Sequence, residues 1–154
     1  MGACVDAARS VAAVSVIGAA LVAGCGSGEP TDPLAGTSWQ LIAVQSMADE
    51  QGTTEVADPS AFTVSFGTGS EAGRATFQLD CNRGSGSYKV EPSGDGSGSL
   101  TFGPVATTLI QCPEPSLDQR VSSALPHVRG YLLEDNQLHM SLVADGGILT
   151  WEPT

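Results

Sequence analysis

Four cysteines, two histidines and a scatter of carboxylates carry whatever chemistry this chain has, and spacing divides them. Cys25 ends the run Val22-Ala23-Gly24-Cys25, behind Arg9 and an apolar stretch from Val11 to Val22. A thiol set directly after two small residues at the end of such a segment follows the cleavage point of an export signal, and the segment is too short for the ~20 apolar residues of a membrane-spanning helix. Cys4 lies within the same leader, so Cys81 and Cys112 remain as a pair. In an oxidising space a disulfide is their default, and closing a loop of about thirty residues stabilises a fold by roughly 3.5 kcal/mol. The alternative is a redox-active or metal-binding pair, although redox pairs favour Cys-x-x-Cys spacing and a metal needs further ligands.

The remaining candidates are thin. His127 follows Pro126, and His139 alternates with Leu138 and Met140, which places it on the solvent face of a strand. A nucleophile needs a base in reach and an orienting third group, and neither histidine sits in a zinc or protease motif. No Gly-x-Ser-x-Gly elbow occurs, the carboxylates lack calcium-loop spacing, and the glycines from Gly67 to Gly73 lack the lysine of a phosphate loop. Two carboxylates distant in sequence, as a glycosidase uses, are the one catalytic arrangement left open by spacing. No catalytic residue, metal or cofactor is assigned, and a non-enzymatic protein is expected.

Val22-Ala23-Gly24-Cys25 resembles the lipobox of bacterial lipoproteins, in which an aliphatic and two small residues precede the cysteine that takes diacylglycerol. The resemblance implies a signal peptide over 1–24, lipidation of Cys25 and a polar tether over 25–33. A flexible tether of that length spans about 15 Å. Two acyl chains anchor stably without a polybasic patch. The expected location is therefore the cell envelope outside the cytoplasm, with the membrane contacted through Cys25.

Residues 34–154 have the size of one domain with its own core. The formal net charge is −11, and beyond the leader the only cations are Arg74, Arg83, Lys89, Arg120 and Arg129. Such a surface repels phosphate backbones and anionic headgroups, which excludes nucleic acid as a partner. The charge also keeps an exported domain soluble, and a monomer is expected.

Most of the domain alternates with a period of two. Phe62, Val64 and Phe66 form one strand face and Ala75, Phe77, Leu79 and Cys81 another. Trp39 to Val44, Tyr88 to Val90, Ser99 to Phe102, Tyr131 to Glu134, Leu138 to Val143 and Ile148 to Trp151 read likewise. Gly67-Thr68-Gly69, Asp95-Gly96, Asp135-Asn136 and Asp145-Gly146-Gly147 supply turn chemistry, while Gln45 to Ser60 and Glu91 to Gly98 read as exposed loops. From Ser116, Leu117, Val121, Ala124 and Leu125 recur at helical spacing between Pro115 and Pro126. The expected fold is α+β, mainly β: one antiparallel sheet, or an open barrel, packed with a short helix that covers a side or end.

Three stretches resemble the META domain of HslJ-like bacterial envelope proteins. Leu34-Ala35-Gly36-Thr37-Ser38-Trp39 is similar to its Leu-x-Gly-x-x-Trp opening, and Cys81-Asn82-Arg83-Gly84-Ser85-Gly86-Ser87-Tyr88 to its Cys-Asn-x-x-x-Gly-x-Tyr signature. Leu100 to Pro104, Thr107-Thr108 and Cys112-Pro113 resemble its Thr-rich stretch ending in Cys. Asp80 departs from the glycine frequent before that signature. The resemblance implies a compact β-rich domain with Cys81 and Cys112 close together, and no catalytic residues. Asn82, Gly84 and Gly86 read as a corner between strands, with Tyr88, Trp39 and Trp151 in the core. The expected function is binding of an envelope protein or an apolar ligand in support of envelope integrity or stress tolerance. The rival is an inhibitor of an envelope-attacking hydrolase such as a lysozyme or protease.

Overall fold

A computed structural model describes residues 31–47 and 52–154; Cys25, the leader, most of the tether, Asp49 and Glu50 lie outside the described residues. β1 (Ser38–Ser46) is followed by a short β2 (Thr53–Glu55), β3 (Phe62–Phe66), β4 (Arg74–Leu79) and a long β5 (Asn82–Gly94). β6 (Ser97–Phe102) and β7 (Ala106–Thr107) precede helix α1 (Asp118–Ala124), and β8 (Val128–Glu134), β9 (Gln137–Leu142) and β10 (Gly147–Pro153) complete the fold.

Neighbouring strands run β1, β3, β4, β5, β6, β8, β9, β10, and β10 pairs back onto β1 from Trp39↔Pro153 to Ser46↔Gly147. The mainly β domain with one helix forms as its alternation dictates, and the sheet closes into an eight-stranded antiparallel barrel where sequence alone allowed an open one. Closure removes the edges that an open sheet would expose. The register of β1 shifts between Leu41 and Ala43. β1 pairs β10 throughout, while β3 pairs its first half and β2 its second.

Inward side chains fill the barrel. Phe62, Val64, Phe66, Phe77, Leu79 and Phe102 are all buried, and the ring of Phe66 meets those of Tyr88 and Phe102 at centroid distances of 4.8 and 6.4 Å. This is a packed core rather than a ligand chamber. Trp39 and Trp151 belong to it, as their sequence setting indicates. α1 buries Val121, and the 3-10 turn Leu125–His127 that follows buries Leu125, so helix and turn end near Pro126 as expected.

Two expected loops carry strand. Gln45 to Ser60 contains β2 and the buried Val56, and Glu91 to Gly98 is a hairpin in which β5 runs to Gly94 and β6 begins at Ser97. Only Asp95-Gly96 turns there, both at positive φ, as a two-residue hairpin requires. The corner between β4 and β5 is also displaced. Asp80 takes the left-handed conformation at φ 57°, while Asn82 already lies in β5, so the signature from Asn82 to Tyr88 is strand rather than corner. Aspartate tolerates that region, which reconciles Asp80 with a position where glycine is frequent.

Candidate functional site

The N-terminal segment and the disulfide sit at opposite ends of the barrel wall. At one end of β3, Gly36 N–H donates to Phe66 O and Phe66 N–H to Thr37 O, each at 2.9 Å. At the other end, Asp80 N–H donates to Ala61 O at 2.7 Å, next to Phe62↔Leu79. Asp32 to Thr37 lie at the first end, and the helix, the disulfide and the segment from Thr108 to Leu117 gather at the second, distal end.

Asp32 fixes the entry point. Its Oδ1 accepts from Leu34 N–H and Ala35 N–H at 2.8 and 3.2 Å, and its Oδ2 accepts from the Tyr88 hydroxyl at 2.7 Å. Leu34 is thereby held fully buried. Burial raises the pKa of the Tyr88 hydroxyl well above its ordinary value, and the hydrogen bond to Asp32 and its charge raise it further. Burial also raises Tyr131, with the charge of Asp32 adding to it. The signal for this anchor is the Asp-Pro pair at the end of the tether, which sequence analysis read only as linker.

Cys81 and Cys112 form a disulfide with Cα atoms 5.5 Å apart. Beside it Asn82 is the only buried polar or charged side chain among the described residues. Its Nδ2 donates to Ile110 O at 2.8 Å and Asp118 Oδ2 at 3.2 Å, while its Oδ1 accepts from Ile110 N–H and the Thr108 hydroxyl, both at 2.8 Å. One amide on β5 thus satisfies donors and acceptors on the returning segment and an acceptor on α1. Ser116 adds a second tie, donating to Asp80 Oδ2 at 2.6 Å and accepting from Asp118 N–H at 3.2 Å.

This latch holds an apolar pair out in solvent. Leu109 is 93% exposed and Ile110 58%, just beyond the short β7. Met47 and Val143, also exposed, follow the distal ends of β1 and β9, and Leu132 alone of the large exposed apolar residues lies on the wall. Two open grooves flank the pair and its continuation, one of about 320 Å³ beside Asn82, Leu109, Ile110 and α1, the other of about 430 Å³ beside β2 and Pro113 to Leu117. Exposed apolar side chains beside grooves make this end the candidate interaction face. Leu109-Ile110 carries a sequence signal in hindsight: an apolar pair without alternation between Thr108 and Gln111.

The other sequence candidates do not join this face. His139 is half-buried on the barrel wall, its Nδ1 3.3 Å from Thr150 Oγ1, rather than free in solvent. His127 is exposed at the end of the turn after α1. Among the described residues no three His, Cys, Asp or Glu side chains come together as metal ligands. Cys25 lies outside them.

The META domain family model matches residues 32–153, and its first matched residue is the Asp32 that bonds Tyr88. A protein from Burkholderia xenovorans, solved by NMR, superposes with a TM-score of 0.62 at 24% identity, over 84% of this chain and 96% of its own. The crystal structure of a DUF4847 family protein from Bacteroides vulgatus gives 0.51 at 13% identity, over 78% and 94%. Both likenesses are of fold. No curated protein matches the chain.

Proposed function

The chain belongs to the META domain family, and we propose that it is a lipid-anchored, non-enzymatic envelope protein whose barrel binds a protein partner in support of envelope integrity or stress tolerance. The observation that carries this reading is the exposure of Leu109 and Ile110 at the end of the barrel opposite Asp32. From Cys25 to Asp32 a fully extended chain reaches about 25 Å. An acyl group on Cys25 therefore keeps the Asp32 end toward the bilayer and turns the apolar face outward. The filled interior favours a protein over an apolar ligand, since a buried ligand needs a cavity the core side chains occupy.

Two variants test the reading. Leu109→Asp with Ile110→Asp abolishes partner association and leaves stability unchanged, because both side chains are already in solvent; retention of the partner contradicts it. Cys25→Ser releases the chain from the membrane, and persistent extraction by detergent alone contradicts the anchor. Inhibition of an envelope-attacking hydrolase is a second reading, favoured by the acidic charge against a cationic enzyme. Stoichiometric inhibition of a lysozyme or protease supports it, and complete inactivity sinks it.

A further inference from the structure

β2 ends the sheet order and, like the two-residue β7 on β5, pairs along a single edge. It bonds β1 over Ala43↔Glu55 to Gln45↔Thr53, and no other strand of the described residues pairs with it. An unpaired edge keeps main-chain N–H and C=O groups that accept another strand. The groove of about 430 Å³ runs beside it, lined by Thr54 to Asp58 on one side and by Pro113 and Pro115 to Leu117 on the other. The prolines offer no N–H, so that facing segment does not close the groove by pairing as a strand.

The lining has one sign of charge over an apolar base. Val56 and Phe62 are buried beneath it, Ala61 and Leu117 half-buried, and Glu55, Asp58 and Asp80 stand around it. Asp58 bonds Ser60 and Asp80 bonds Ser116, so hydroxyl and amide groups, not cations, are their neighbours. Among the described residues no Lys or Arg lines the groove. Arg120, which donates to Thr54 Oγ1 at 3.0 Å, lies outside the lining.

We propose that this groove receives an extended segment of a partner protein, carrying alternate basic and apolar side chains, laid along the open edge of β2; the proposal rests on the protein-binding reading above. A strand sends successive side chains to opposite faces, so one set reaches the apolar base and the other the carboxylates. Main-chain bonding supplies affinity and the acidic rim selects against acidic segments.

The test is a titration of the purified full chain, followed by its amide NMR shifts, with a short peptide of alternating lysine and valine. The controls are its glutamate–valine counterpart and a lysine–valine peptide methylated at alternate backbone nitrogens. The expected result is a shift of the Thr53 to Asp58 and Ser116 to Leu117 amides by the first peptide, and none by the glutamate peptide. Glu55→Lys and backbone methylation each weaken binding by roughly two- to fivefold, the worth of one exposed charge pair or one hydrogen bond. Glu55 is exposed, which spares the fold, and Glu134→Lys at the tethered end leaves binding unchanged. Equal response to both charged peptides, insensitivity to Glu55→Lys or to methylation, shifts confined elsewhere, or no shift overturns the groove. A partner lost on Leu109→Asp with Ile110→Asp while the groove stays silent overturns this inference alone.

Discussion

Asn82 does three jobs with one side chain, since its amide bonds the returning segment through Thr108 and Ile110, reaches Asp118 on α1, and lies next to the disulfide. Residue type announces the capacity for such bonding but not which use is made of it. The left-handed turn that asparagine would also tolerate falls instead to Asp80. Asn82→Ala leaves Ile110 N–H and C=O without their partner, and the expected cost is about 2–3 kcal/mol, read from urea midpoints. A loss of a few tenths would contradict the latch. Asp32 and the tyrosines give a second expectation. Both of the chain's tyrosines are raised, Tyr88 by burial and then the bond to and charge of Asp32, Tyr131 by burial and then that charge. A raised acid is kept neutral in the native state, so its contribution is complete below the unfolded value near about 10 and is lost as pH rises beyond it. Tyrosinate absorbance should therefore appear together with alkaline unfolding, and Tyr88→Phe should flatten the fall in stability above about pH 10. A tyrosinate step near the ordinary value in the folded protein would contradict this.

At the scale of elements, legibility follows the pattern of apolar residues. β3 and β4 alternate cleanly, and sequence places them to within a residue or two. β5 is harder to see because Gly84, Ser85, Gly86 and Ser87 offer no alternation, and β2 because three polar residues carry no pattern at all. The glycines are explained by what they face. Gly84 and Gly86 pair with the inward Phe77 and Ala75, and the segment that becomes β7 fills the space their side chains would take. A Cβ at Gly84 would meet Thr107 Cγ2 at 2.9 Å, and one at Gly86 would meet Pro104 O at 3.0 Å. Gly84→Val should cost about 1–3 kcal/mol through this overpacking, measured by chemical denaturation. The disulfide ties the same returning segment to the β4–β5 corner, across a sequence separation of 31. Replacing both cysteines with serine should cost roughly 3 kcal/mol, and thiol labelling should require reductant. Ready labelling of the untreated protein would contradict the bond.

At the scale of the molecule, a small acidic domain uses its strands to close on themselves and its few aromatic residues to fill the interior. Alternation and turn chemistry made an antiparallel sheet legible in the sequence, but closure depends on β10 meeting β1 across more than a hundred residues, a long-range pairing that no local pattern encodes. The distal face escaped sequence analysis for a related reason. Leu109 and Ile110 look like core until Asn82 is seen holding the Ile110 backbone and the Thr108 hydroxyl on either side of Leu109 while both apolar side chains stay outside. Asp32 bound to Tyr88 at one end and an apolar pair at the other give the barrel a direction, which under the proposed lipidation of Cys25 becomes an orientation at the membrane. Site-specific photo-crosslinking in cells measures it, with the photoreactive residue at Leu109 or Ile110 and, for comparison, at Glu134 at the tethered end. The account predicts a protein adduct of one defined mass from the first two positions and none from Glu134. Adducts from Glu134 alone, equal adducts from all three, or none would contradict it.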